Sequence, residues 1–286
     1  MPTRKGSNML TYIVTMVLVG VFAGTLGSLL GLGGGIVITP VLTLGFGVDI
    51  KYAVGASIMA VLATSSGSAI AYLKDDMLNL RIAMFLEIFT TLGAFVGALL
   101  SLVVGGKFLF LLYGALMIFQ AFNMYQKIKG PGQDLHAEQG DKWAQILNLS
   151  GSYFDHSLKK QVSYQVTNVP GGSAVMFFAG VASALLGIGA GAFKVLAMDT
   201  VMRMPLKASS ATSNFMMGVT GAASAIFYLF SGQINPVLVT PICLGVVLGS
   251  LLGSRVMPYV PVKVLRVIFL LVLVAIGLQM FLRGVS

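Results

Sequence analysis

The stretch FAGTLGSLLGLGGG, which begins at Phe22, returns as FAGVASALLGIGAG from Phe178, a separation of 156 residues. The same separation carries SAIAYL from Ser68 onto SAIFYL from Ser224, and LGAFVG from Leu92 onto LGSLLG from Leu248. It also carries Lys51 onto Lys207, Ser57 onto Ser213 and Thr64 onto Thr220. A match that runs without a gap for about a hundred residues means that one structural unit occurs twice. Any fold for this chain must therefore give both copies the same elements in the same order.

Composition decides which solvent surrounds the repeat. The chain is 57% apolar and 9% charged, with a mean hydropathy of +0.92, whereas soluble domains carry roughly a quarter charged residues. Segments 9–30, 52–73, 78–104, 108–126, 206–230, 236–254 and 264–282 are each long enough, at about 20 residues, to cross a bilayer as helices. They lack the period-two alternation of barrel strands, which leaves helices as the spanning structure. The expected fold is an all-α polytopic membrane protein of two homologous halves, each a glycine-broken hairpin followed by three or so spans. The first repeat is read as 1–126, a cytoplasmic polar linker as 127–170 and the second repeat as 171–286.

The opening MPTRKGSN lacks a small-residue cleavage site before the apolar run and is read as retained. A lone cysteine, Cys243, excludes an internal disulfide. The pI near 9.7 does not point to nucleic acid, because the basic residues sit singly at helix ends rather than on one face. They are topology signals instead. With the halves inverted and both termini outside, twelve Lys and Arg fall on the linker side and five on the other, whereas parallel halves divide them ten to seven. The positive-inside rule favours the inverted arrangement, although Arg4 and Lys5 count against it.

The most unusual segments are GLGGGIVITP at 31–40 and GIGAGAFKVL at 187–196, which are glycine-rich inside apolar sequence. From Pro170 to Gly187 the chain is too short to cross, so it turns at membrane depth. Irregular backbone survives there only where it is buried in protein or lines a cavity. Two such breaks bring two helix N-termini to one depth, where they attract anions. The candidate substrate site is Gly31, Gly33, Gly34, Gly35, Gly187, Gly189, Ala190 and Gly191, with the Thr39 hydroxyl and the Lys194 ammonium. The plainer reading is that these glycines pack helices and that Thr39 serves a carbonyl freed by Pro40. Ser57, Thr212, Ser213 and Asn214, early in the following spans, form a second tier of candidates that could equally be interhelical glue.

Lys194 aligns with Ile38 in the first half, so the cation is unmatched. An intramembrane lysine defaults to function, and the alternative is a pair with Asp199. Glu87 lies about nine residues into its span, roughly 13 Å deep at helical rise, and its repeat mate is Cys243. Glu87 and Asp199 are the candidates for proton coupling.

At these residues the sequence resembles the TauE/SafE family of sulfite-exporter-like permeases. The likeness lies in both glycine motifs, the two halves and ATSNFMMGVTGAASA from Ala211, and it covers nearly the whole chain. The resemblance implies an inner-membrane, multi-pass transporter, in many members an exporter, of a small sulfur-containing or carboxylate anion such as sulfite. The second motif departs from the fuller glycine pattern at Ala190 and adds Lys194. An anion channel, or an importer of a small carboxylate or sulfur anion, would use the same helix starts.

Enzyme chemistry finds no residues to run on. HExxH, GxSxG and paired intramembrane aspartates do not occur, GIGAGAFK lacks the spacing of a phosphate loop, and His136 and His156 lack metal-site spacing. No catalytic residue, cofactor or metal is expected. The partners expected are the bilayer and a small anion, with no nucleic acid.

Overall fold

The computed structural model describes residues 7–74, 76–101, 103–129, 141–186 and 190–285. The first half consists of α1 (Ser7–Leu30), α2 (Gly35–Pro40) with a π-helical turn (Val41–Gly45), α3 (Ile50–Lys74), α4 (Leu80–Ser101) and α5 (Gly106–Lys129). After the short α6 (Lys142–Ile146) comes a hairpin of β1 (Ser150–Asp155) and β2 (Lys160–Gln165). The second half consists of α7 (Val169–Leu186), α8 (Gly191–Leu196) with a π-helical turn (Ala197–Val201), α9 (Leu206–Phe230), α10 (Pro236–Val256) and α11 (Val262–Val285). Shifted by 156 residues, α2, its π turn, α3 and α5 coincide end for end with α8, its π turn, α9 and α11. Among the described residues, seven helices, α1, α3, α4, α5, α9, α10 and α11, are long and apolar enough to cross a membrane. The all-α polytopic fold is as expected.

Each half opens with a hairpin. The chain leaves α1, turns through 31–34 and doubles back, so that Gly34 lies beside the Ala23 carbonyl and the Phe46 ring packs edge-on against Tyr12, centroids 6.3 Å apart. In the second half the Thr167 N–H donates to the Met202 carbonyl at 3.1 Å, closing the equivalent hairpin. Both returning helices end in a π turn. Pro40 precedes the first and Leu196 the second, so proline is not what opens the turn.

The halves are interlocked rather than placed side by side. Gly20 and Gly24 of α1 admit the backbone of α10 at Ile242 and Val246, while Gly245 and Gly249 of α10 admit α1 at Val17 and Val21. The equivalent pair is α4 with α7: Gly93 and Gly97 lie against Phe177 and Val181, and Gly180 lies against Thr90. Small residues spaced four apart let helix backbones approach closely where lipid offers no hydrophobic drive. Similarly, α5 meets α11 through Gly114, Gly277 and Gly284.

Two sets of loops gather apart from one another. Gly47 to Ile50 line one surface pocket with Lys107, Phe110 and Arg283. Elsewhere, Asn79 after α3 donates from Nδ2 to the Ser150 carbonyl at 3.0 Å, and Lys207 at the start of α9 reaches both Asp155 and the Pro258 carbonyl. The weak alternation at 151–166 does fold as a hairpin, paired from Ser150↔Gln165 to Asp155↔Lys160. Its buried face carries Tyr153, Asp155, Val162 and Tyr164, the two-residue period of a strand.

Candidate functional site

The first break is built from left-handed backbone. Gly31, Gly33 and Gly34 have φ of 73°, 74° and 68°, a region open to glycine and costly for residues with a Cβ. Gly34 is the N-cap of α2. Its repeat mate Ala190 is the N-cap of α8 and holds φ 54° despite its side chain. Gly187 and Gly189 lie outside the described residues.

The two breaks meet. A Cβ at Gly191 would overlap the Gly31 carbonyl oxygen and stand 2.7 Å from Leu32 Cα. Met217 of α9 lies under both, its sulfur 2.7 Å from the Cβ position of Gly33 and 2.6 Å from that of Gly191. The residues read from the sequence as two halves of one site are therefore adjacent.

Turning the chain strands carbonyls that a continuous helix would satisfy, and hydroxyls on α3 and α9 take them up. Ser57 Oγ donates to the Gly35 carbonyl at 2.9 Å and Thr64 Oγ1 to Gly33 at 3.0 Å. Ser213 Oγ donates to Gly31 at 2.9 Å and lies 3.3 Å from the Gly191 carbonyl, the repeat mate of the Ser57 bond. Tyr72 and its mate Tyr228 close the ends of α1 and α7 by donating to the Ser28 and Ala184 carbonyls at 2.6 and 2.7 Å. Thr212 Oγ1 accepts from the Asn79 N–H at 3.2 Å. Asn214 Nδ2 donates to Ser28, and its Oδ1 is buried without a partner. Thr39 Oγ1 is likewise buried and unpartnered. It does not serve a carbonyl freed by Pro40, and one turn further on Thr43 donates to the Thr39 carbonyl at 2.9 Å.

Lys194, on the first turn of α8, is fully buried. Its ammonium is not paired with Asp199. It lies 3.1 Å from Glu87 Oε2 on α4, in the other half of the chain, and donates to Thr220 Oγ1 on α9. The Thr220 hydroxyl also contacts Glu87 Oε1, and Thr91 Oγ1 stands 3.4 Å from the same oxygen. Asp199 faces Arg266 of α11 at 3.8 Å. The reason is geometric: a helix brings residues three or four apart onto one face, whereas Lys194 and Asp199 are five apart, Lys194 on α8 and Asp199 inside the π turn that follows it.

Gln120 of α5 was not singled out in the sequence. With its amide oriented to suit both partners, it donates to the Ala192 carbonyl and accepts from the Phe193 N–H, each at 3.2 Å, and so holds the first turn of α8. A polar residue deep in an apolar span was the available signal. Thr220 carried a clearer one, its repeat match to Thr64.

The family model for the sulfite exporter TauE/SafE matches residues 16–280. A Bacillus subtilis protein described as "Probable membrane transporter protein YunE" is 27% identical over 279 residues, covering 95% of this chain and 98% of the relative. A "Probable membrane transporter protein" of Xylella fastidiosa is 29% identical, covering 85% and 83%, and one of Haemophilus influenzae is 25% identical, covering 96% and 100%. No solved structure matches. Broken hairpins repeated around a shared centre, seven apolar spans and a family match along nearly the whole chain lead to one conclusion: this is a membrane transporter, and the chain belongs to the sulfite exporter TauE/SafE family.

Proposed function

We propose that the protein carries a small anion, a sulfur oxyanion or organosulfonate such as sulfite, across the inner cell membrane. The anion is bound where the two breaks meet. The observation that carries this reading is Lys194, a fully buried cation one turn beyond Gly191, the residue that packs on the opposite break. A cation at membrane depth is costly and marks a pathway for its opposite charge. The starts of α2 and α8 add the positive ends of their peptide dipoles, and the unpartnered oxygens of Thr39 on α2 and Asn214 on α9 leave polar capacity in those helices. Glycine lining suits a small ligand. Export is the direction that the family description names.

Glu87 is the coupling carboxylate in this reading. Asp199 is set aside from that role because it faces Arg266. The halves are inverted, with both termini outside and the 127–170 linker inside. The grouping of 47–50 with Lys107 and Arg283, apart from the group made by Asn79, the β hairpin and Lys207, supports this, as does the distribution of Lys and Arg.

The test is purified protein in liposomes, screened for counterflow of labelled sulfite, thiosulfate, sulfonates and small carboxylates with and without a pH gradient. Saturable exchange of a sulfur anion is expected. A panel without exchange, or with a current that never saturates, would displace the carrier reading.

A further inference from the structure

We propose that the anion binds together with a proton taken up by Glu87, so that both cross in the same direction and a monovalent anion moves without net charge. This rests on the anion-carrier reading of the same site. As the cluster stands, the Lys194 ammonium is matched by the Glu87 carboxylate 3.1 Å away, with the Thr220 hydroxyl joined to both. Adding an anion to this neutral cluster would leave a net negative charge in an apolar interior, which is costly. A proton on Glu87 removes that cost, since ammonium and anion then compensate one another. Thr220 can turn its hydroxyl to the Met216 carbonyl, 3.1 Å away, once the carboxyl no longer needs it.

Four loading states follow, and charge sorts them. The empty cluster and the doubly loaded one are neutral. Anion alone leaves one negative charge, and proton alone leaves one unmatched ammonium. The two neutral states are the ones that rearrange at low cost, which makes the process cotransport. Exchange of proton for anion would have to run through the two charged states.

Among the described residues, the neighbouring elements offer no substitute counter-charge. α7, which packs along α4, has no ionisable side chain between Val169 and Leu186. On α9, Lys207 is bound to Asp155, and Tyr228 donates to the Ala184 carbonyl. The turn after α8 holds Asp199, which faces Arg266. Arg81 sits on the first turn of α4 and Lys107 on the first turn of α5. The repeat mates of Lys194, Glu87 and Thr220 are Ile38, Cys243 and Thr64, the last bonded to the Gly33 carbonyl. The charge device therefore occurs once, for one proton and one anion.

The experiment uses the purified full chain in liposomes, with labelled methanesulfonate, a monovalent anion that carries no proton near neutral pH, beside thiosulfate and sulfite. If none of the three exchanges above protein-free liposomes, the anion-carrier reading falls and the cotransport inference with it. For a probe that exchanges, inward flux under a potassium–valinomycin clamp should acidify the lumen, read by trapped pyranine. A one-unit pH gradient, acid outside, should accumulate the probe about tenfold, the equivalent of 1.4 kcal/mol. Exchange with no proton movement, or with lumenal alkalinisation, overturns the inference and leaves the carrier reading standing. Glu87→Gln should abolish the tenfold accumulation and make half-saturation independent of pH, and a variant that still accumulates probe on a pH gradient overturns the role of Glu87. Should that variant fail to reach the membrane, the wild-type lumenal pH and accumulation decide the matter.

Discussion

The carboxylate of Glu87 and the ammonium of Lys194 stand 3.1 Å apart although 107 residues separate them, and each comes from a different half of the repeat. Removing one member of a buried pair leaves the other uncompensated, at about 3–5 kcal/mol. Lys194→Met should therefore lower the thermal stability of the detergent-solubilised protein, and Glu87→Gln added to it should restore much of that loss. Transport should stay lost in the double variant, because the anion then has no counter-charge. Asp199→Asn added to Lys194→Met should rescue neither property. Wild-type anion affinity in the Lys194→Met, Glu87→Gln protein would remove the pair from the site.

Backbone conformation at the breaks gives a second prediction. Gly34 has φ 68°, and a Cβ there would lie 3.0 Å from the Ala23 carbonyl oxygen and 3.2 Å from Thr64 Oγ1. Gly34→Leu adds the cost of left-handed backbone, about 1–2 kcal/mol, to that crowding. The long spans are untouched, so the protein should reach the membrane and fail to transport. At the matching cap the strain is already present, in Ala190 at φ 54°, and Ala190→Gly should raise the melting temperature. Normal transport by Gly34→Leu would show that the break does not line the path.

Much of this architecture was legible because a repeat reports register. One constant separation places each helix on its mate, and glycines in an apolar run mark where the backbone turns. Pairing between halves was not legible, since no local signal connects Glu87 to Lys194. Asp199 drew attention by closeness along the chain, although a spacing of five residues already argued against a shared helix face. Ser57 and Ser213 were recognisable as polar residues near the breaks, but their bonds to the Gly35 and Gly31 carbonyls depend on how α3 and α9 lie across the two turns. Lys51 and Lys207 show the limit of the repeat itself. They are matched in sequence, yet Lys207 is buried against Asp155, in a hairpin that precedes the second half and has no counterpart before the first among the described residues.

The inverted arrangement can be tested in intact cells. In a background with Cys243 replaced, single cysteines at Lys107 or Asn235 should react with a membrane-impermeant maleimide from outside. A cysteine at Ser152, on the hairpin of the linker, should react after lysis alone. Labelling of Ser152→Cys in intact cells would reverse the orientation, and labelling at Lys107 without Asn235 would overturn the inversion itself.

One buried contact of the hairpin, between Asp155 and Lys207, has a pH dependence of definite sign. Burial by itself would raise the Asp155 carboxyl, but hydrogen bonds from Lys207 and Ser157, with the charge of Lys207, outweigh it and hold the group below its usual value. A carboxyl depressed by folding contributes stability that is fully present above the unfolded value, about 3.9, and is lost as pH falls through the folded one. Docking of β1 and β2 should therefore be insensitive to pH between 5 and 8, as roughly the range in which a carboxylate stays charged, and should weaken below about pH 4. Asp155→Asn should show the acid behaviour at neutral pH. It leaves the Lys207 ammonium with the Ser157 hydroxyl at 2.9 Å and the Pro258 carbonyl at 2.9 Å, neither of which carries charge. The expected cost is about 3 kcal/mol, the low end for breaking a buried pair. Limited proteolysis of the detergent-solubilised protein across this pH range reads the docking directly. Equal protection of wild type and Asp155→Asn at neutral pH would mean that the hairpin is held by its apolar face, Tyr153, Val162 and Tyr164, rather than by the ion pair.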